Sequence, residues 1–201
     1  MRRIRIERRV AAPWLIAVGF FCATAFSSVR TRAGASEDRA QARTHFDQGV
    51  ALARKQAYSE ALSEFQHAYE LSPHFSVLYN IGQALIALGR PTQAIAALER
   101  YVEEGGANIE PRRRAEVDAA LESETAKTGR VEVTVDVSSA LVSIDGTPYG
   151  RSPLPMPVRV DPGAHQILAA LDSGEQRTAE IAVDAGQIGH VQLEFGGPVT
   201  S

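Results

Sequence analysis

Residues 49–81 read GVALARKQAYSEALSEFQHAYELSPHFSVLYNI, and residues 82–101 begin the same statement again as GQALIALGRPTQAIAALERY. Gly49 recurs as Gly82, Leu52 as Leu85, Ala61 as Ala94, Phe65 as Leu98 and Ala68 as Tyr101, each 33 residues on. A fixed period of about that length marks stacked helix-turn-helix units, each of which cannot bury its apolar face alone. Inside a copy, Gly49 with Leu52 and then Ala61, Phe65 and Ala68 recur at three or four residues, which places each set on one face of a helix. Two helices per copy therefore share one seam. Gly49, Ala61, Gly82 and Ala94 are small enough for close helix approach, while Phe65 and Leu98 fill the space between neighbours.

The pattern Gly49, Leu52, Tyr58, Ala61, Phe65, Ala68, Pro73, and then Gly82, Leu85, Ala94, Leu98, resembles the tetratricopeptide repeat over roughly residues 41–106. It departs at Tyr101, where that family usually has a small residue, and at Gly106, where it often has proline. Those departures make the second copy the end of the array. Turn signals set the expected helices. The first starts near Ser36–Asp38, with acidic residues near the positive end of its dipole, and runs to about Lys55. Its partner spans 57–71 and stops at Ser72-Pro73, and the next spans 74–88, with Gly89 as a C-terminal cap. Pro91 opens the fourth, which continues to Glu104, and Pro111 repeats that start signal before a more polar fifth helix over 112–127. Val117 and Leu121 share one side of that helix, as a polar cap over the last repeat requires.

Ahead of the repeats, Arg2, Arg3, Arg5, Arg8 and Arg9 precede an apolar run from Val10 to Phe26, the layout of a secretory signal peptide. Ala33-Gly34-Ala35 offers a cleavage site before Ser36, Ala23-Thr24-Ala25 competes, and an uncleaved anchor stays open; export follows in each case. Cys22, the one cysteine, lacks a lipoprotein box, and the flanks of Arg8-Arg9 lack the rest of a twin-arginine signal. Seven of the 21 Lys and Arg but only one of the 24 Asp and Glu lie in the first 35 residues, leaving 14 against 23 and a formal charge of −9. That charge disfavours nucleic acid and anionic lipid as partners. Loss of Cys22 with the leader would leave neither disulfides nor thiolate metal sites.

At Thr128-Gly129 the apolar period switches from about 3.6 to 2. Val131, Val133, Val135 and Val137 alternate with polar residues, and Ala140, Val142 and Ile144 alternate again before the turn Asp145-Gly146. Further strands are expected at 158–160, 166–171, 178–183 and 191–195, a spacing that implies a small β-sandwich. Asp161-Pro162-Gly163-Ala164-His165, with Ala140, Val142, Asp145-Gly146 and Gly150-Arg151-Ser152-Pro153, resembles the PEGA domain, although the glutamate of its proline-glutamate-glycine-alanine turn is missing. That resemblance covers about 129–195 and implies an exported, cell-envelope setting rather than an activity.

The organisation expected is α plus β in separate domains. Residues 1–35 form the signal peptide, 36–128 two tetratricopeptide-like repeats with a capping helix, 129–196 a small all-β sandwich and 197–201 a loose tail. Brief proteolysis should find the boundary between Lys127 and Arg130. His45, His67, His74, His165 and His190 show no metal-ligand spacing, Ser152 has no nucleophile-elbow context, and no glycine-rich phosphate loop opens a helix. No enzyme, cofactor or metal is expected. Function then lies in surfaces.

In the repeat family the first helix of each unit lines a groove. Here that face carries Arg43, Phe46, Val50 and Arg54, then Ser76, Tyr79, Asn80 and Gln83, with Phe46 and Tyr79 one repeat apart. A peptide could bury an apolar side chain on those rings while Asn80 and Gln83 bond its backbone; alternatively Phe46 and Tyr79 simply pack. The family's clamp for a C-terminal carboxylate is incomplete, since Phe46 and Val50 occupy two of its places. Two functional readings follow. One is a non-enzymatic adaptor or scaffold of the bacterial cell envelope, holding another envelope protein or peptide in the groove. The other is a surface or glycan-binding module acting through the sandwich, which offers Tyr149 and Phe195 but no tryptophan.

Overall fold

The computed structural model describes residues 32–196; the expected leader up to Thr31 and the expected tail at 197–201 lie outside them. Five helices come first: α1 (Arg32–Arg54), α2 (Tyr58–Leu71), α3 (Phe75–Ala87), α4 (Pro91–Gly105), a short 3-10 turn (Gly106–Asn108) and α5 (Pro111–Ala126). α1 begins before the expected start at Ser36, so Ala33-Gly34-Ala35 lies in its first turn. Alanine is the best helix former, and the expected start gave too little weight to two of them. The small-residue seam forms as the repeat requires. A Cβ on Gly49 would stand 2.6 Å from the Phe65 ring, and one on Gly82 would stand 2.6 Å from Leu98 Cδ2. Ala61, Ala94 and Leu98 are fully buried beside them.

Local chemistry closes each turn. Gly89 adopts φ +67, its N–H reaching Ile86 O while the N–H of Arg90 reaches Leu85 O, both at 3.0 Å, the paired bonds of a Schellman cap. Glu110 caps α5 by accepting from the N–H groups of Arg112 and Arg113, each at 3.2 Å. Val117 of α5 is fully buried in the helical core, closing the last repeat.

The second half contains β1 (Gly129–Val135), β2 (Leu141–Ile144), β3 (Thr147–Arg151), β4 (Val158–Val160), β5 (Gly163–Ala170), β6 (Gln176–Val183) and β7 (Ile188–Leu193). They form two sheets, ordered β4-β1-β7 and β3-β2-β5-β6. β1 and β7 pair in parallel, with Val133 opposite Val191, and the other pairings are antiparallel. Val131, Val133, Val191 and Leu193 from the first sheet meet Val142, Ile144, Ile167 and Val183 from the second in one core. The chain is thus helical repeats followed by a small β domain.

β3 was not among the expected strands. Its residues, Thr-Pro-Tyr-Gly-Arg, show no alternation, because it is a mostly exposed edge whose Pro148 has no ladder bond to lose on the outer side. The turn before it does follow the sequence signal, with φ 51 at Asp145 and φ 77 at Gly146, both positive as a two-residue hairpin needs. Ser152, without chemistry in the sequence, ties down the strand end: its hydroxyl accepts from the N–H of Ala140 at 3.0 Å and donates to Val137 O at 2.7 Å.

The junction at 128 differs from an open linker. Only Lys127 and Thr128 separate α5 from β1, and Thr128 and Gly129 are both buried. Thr128 O accepts from the N–H of Gly186, the N–H of Arg130 reaches Gln187 O, and Lys127 Nζ bonds the buried Glu124 carboxylate at 2.6 Å. A Cβ on Gly129 would stand 2.9 Å from Asp184 O. A second tie lies far away in sequence. α4 has no side-chain cap of its own, and the N–H of Thr92 donates instead to Asp161 Oδ1 of the β4–β5 turn at 2.8 Å. Arg159 Nη1 also approaches Glu99 Oε1 at 3.4 Å. Backbone held by such bonds is a poor protease substrate, since cleavage needs an extended, freed segment. Trypsin is therefore expected to cut after Lys127 or Arg130 more slowly in the folded chain than in a free peptide spanning 121–136, read by mass spectrometry over a time course. Rapid release of two intact halves would contradict this.

Candidate functional site

Five of the expected groove residues divide into three groups. Phe46 and Val50 are half-buried on the helical core, Phe46 with its ring 5.7 Å from that of Phe65. Arg43 and Arg54 are exposed, Arg43 4.0 Å from Asp47 one turn on, a spacing of little energetic weight at the surface. Ser76 is engaged in capping α3: its N–H donates to His74 Nδ1 at 3.3 Å and its hydroxyl lies 2.8 Å from the same nitrogen. Phe46 and Tyr79 therefore do not present a matched pair of free rings.

Tyr79 is covered from two sides. Its ring lies 5.7 Å from that of Tyr101, and the guanidinium of Arg113 sits 4.4 Å over its centroid while donating to its hydroxyl. Cation–π contact plus that hydrogen bond makes Arg113 a lid on the ring. Tyr101 and Arg113 were absent from the expected site. Tyr101, buried where the family has a small residue, carried the signal: a large ring there must meet something one helix away, and it meets Phe75 and Tyr79.

Asn80 and Gln83 do converge. With Ala53, Tyr58, Phe65 and Ala84 they line a cavity of about 250 Å³ between the C-terminal end of α1 and α3, floored by α2. Asn80 donates to Ser76 O at 3.1 Å through Nδ2, which leaves its Oδ1 as an acceptor. The floor is apolar and the wall is amide. Another cavity, about 340 Å³, opens between α2, α3 and α4, and at its edge Arg100 Nη2 donates to the Tyr69 hydroxyl at 2.8 Å and pairs with Glu104 at 2.9 Å.

The histidines separate into structural roles that spacing concealed. His165, 8% exposed, sits between Asp145 Oδ2 at 2.7 Å and Asp161 O at 2.6 Å. Burial works to lower its pKa, but the Asp145 carboxylate and the Asp161 carbonyl outweigh it and hold the pKa above the ordinary 6.5. His190 pairs with Glu132 at 2.9 Å in the open. His45 and His67 lie together with Glu64, a grouping across α1 and α2 that the sequence separation of 19 residues between His45 and Glu64 hid.

Residues 52–112 match the tetratricopeptide repeat family. The match spans the end of α1 through the start of α5 and so covers the cavity at Asn80 and Gln83. No curated protein matches the chain. Tetratricopeptide repeats generally mediate protein–protein interaction and form a scaffold rather than a catalytic fold. No helix among the described residues is long and apolar enough to cross a membrane.

Proposed function

We propose that the chain is a non-enzymatic adaptor of the bacterial cell envelope that holds a partner peptide on the helical array, and that its β half is a PEGA-like module spacing or presenting the array. The observation that carries the peptide reading is the cavity at Asn80 and Gln83. About 250 Å³ suits one side chain of a polypeptide and falls below the roughly 300–1,000 Å³ of small-molecule sites. An apolar floor with two amide side chains at its edge divides the work as peptide grooves do, anchor below and backbone bonding above. Export rests on the arginine-then-apolar start, and the PEGA reading on the turn from Asp161 to His165 and its tie to α4. A formal charge of −9 without the first 35 residues favours a basic or neutral partner segment.

The test is crosslinked capture from an envelope fraction. Replacing Asn80 and Gln83 together by alanine should weaken capture about 5- to 30-fold, or about 1–2 kcal/mol, with the melting temperature unchanged. Undiminished capture would move the binding surface elsewhere, with Tyr149 on the sandwich as the next residue to replace. Recovery of the native chain from the cytosol alone would remove the envelope setting.

A further inference from the structure

We propose that His45, Glu64 and His67 form a binding site for a divalent transition-metal ion, zinc first. Three features of the α1–α2 pair assemble it. Glu64 and His67 stand three residues apart, hence on one face of α2, and His45 projects to them from α1. His45 Nδ1 lies 2.7 Å from Glu64 Oε2, and the two imidazole rings are 5.4 Å apart, edge to face. One ligand atom from each of the three lies within 4.8 Å of the others, the one such grouping among the described residues.

Those distances are close to what a metal needs. Zinc binds nitrogen and oxygen at about 2.0–2.2 Å, which in a tetrahedron sets ligand atoms roughly 3.3–3.5 Å apart. The His45–Glu64 pair must open by about 0.6–0.8 Å and His67 must close by at most about 1.3–1.5 Å, within reach of rotation about side-chain bonds. Two imidazoles and one carboxylate favour zinc and its first-row neighbours over magnesium and calcium, which take oxygen. Three protein ligands leave a fourth position for water, and the site is open to it, since His45 and Glu64 are half-buried and His67 is exposed. His165 and His190 provide the contrast, each facing a carboxylate without a third donor. A metal here joins α1 to α2 and fixes the first helical pair of the array.

The test uses the untagged full chain, stripped with chelator and titrated with zinc by calorimetry and with cobalt by visible absorption. One-to-one saturable uptake is expected, with cobalt bands of a four-coordinate nitrogen and oxygen site. Removing a group that merely supports a ligand costs about 10- to 100-fold in metal affinity, so His45→Ala and His67→Ala should each weaken uptake at least about tenfold. Glu64→Gln keeps the side-chain volume and a hydrogen bond to His45, so reduced uptake by that variant, with its circular dichroism spectrum unchanged, reads ligation and not misfolding. His190→Ala should bind as the native chain does. No saturable uptake, uptake that survives both His45→Ala and His67→Ala, or uptake reduced equally by His190→Ala would overturn the site.

Discussion

Phe65→Ala is expected to destabilise the protein by about 3–5 kcal/mol, a large part of the 5–15 kcal/mol that holds a typical domain. Phe65 is 2% exposed, lies against Phe46, fills the space left by the missing side chain of Gly49 and floors the cavity beside Asn80. Removing its ring opens a void that α1 and α2 cannot close without losing their register. The glycine opposite gives the sharper version of the test. A Cβ at Gly49 meets two atoms of a rigid ring at 2.6 and 2.7 Å, whereas one at Gly82 meets the end of the flexible Leu98 side chain at 2.6 Å and its Cγ at 2.8 Å. Gly49→Ala should therefore cost more than Gly82→Ala, within the 1–3 kcal/mol or so of an overpacked core. In a Phe65→Leu background the cost of Gly49→Ala should shrink, since a rotatable side chain can yield. Urea denaturation of the four variants measures this. Equal costs in both backgrounds would mean that the ring is not what Gly49 accommodates.

The seam was legible because a repeat states itself twice. Gly49 with Phe65 and Gly82 with Leu98 are the same pair one period apart, and both pairs are in contact. Gly89 and Pro91 likewise marked their turn by local chemistry, since one supplies φ +67 and the other needs no N–H at a helix start. β3 was not legible for the converse reason. An edge strand with little buried surface has no apolar alternation to announce it, and Pro148 and Gly150 read as loop.

The site was half legible. Asn80 and Gln83, three residues apart on α3, reach one cavity as helical spacing implies. Which of the two readings of Tyr79 holds, open ring or packed ring, was not legible, because its cover comes from Arg113, 34 residues later, across a helix whose rotation no local pattern reports. The same limit hid His45 from Glu64 and Asp161 from the start of α4, since pairs across elements depend on how the elements pack.

His165→Leu is expected to cost about 2–3 kcal/mol near pH 5.5 and less as the pH rises, because it removes a hydrogen bond to a charged group from a buried position. His165 sits between two turns: Nδ1 faces the Asp145 carboxylate of the β2–β3 turn, and Nε2 faces the carbonyl of Asp161, whose carboxylate caps α4 through Thr92. One ring thus joins the sandwich turn to the helical array. The folded-state pKa of His165 is raised above 6.5, burial being outweighed by Asp145 and Asp161, so the stability it contributes is fully present below 6.5 and is lost as pH rises through the folded value. Asp145 has its pKa lowered from 3.8, burial again being outweighed, here by the His165 bond and the N–H of Gln166, so its contribution is present above 3.8 and is lost as pH falls through the folded value. Together they place the strongest coupling between about pH 4 and 6.5. Urea midpoints of the native chain should accordingly decline from pH 6 to 8 more steeply than those of His165→Leu. Exchange of the Thr92 amide should quicken in the variant, because a turn without its histidine holds Asp161 less firmly. Parallel pH profiles for the two proteins would mean that His165 stays neutral in the folded state and acts only as a packed ring.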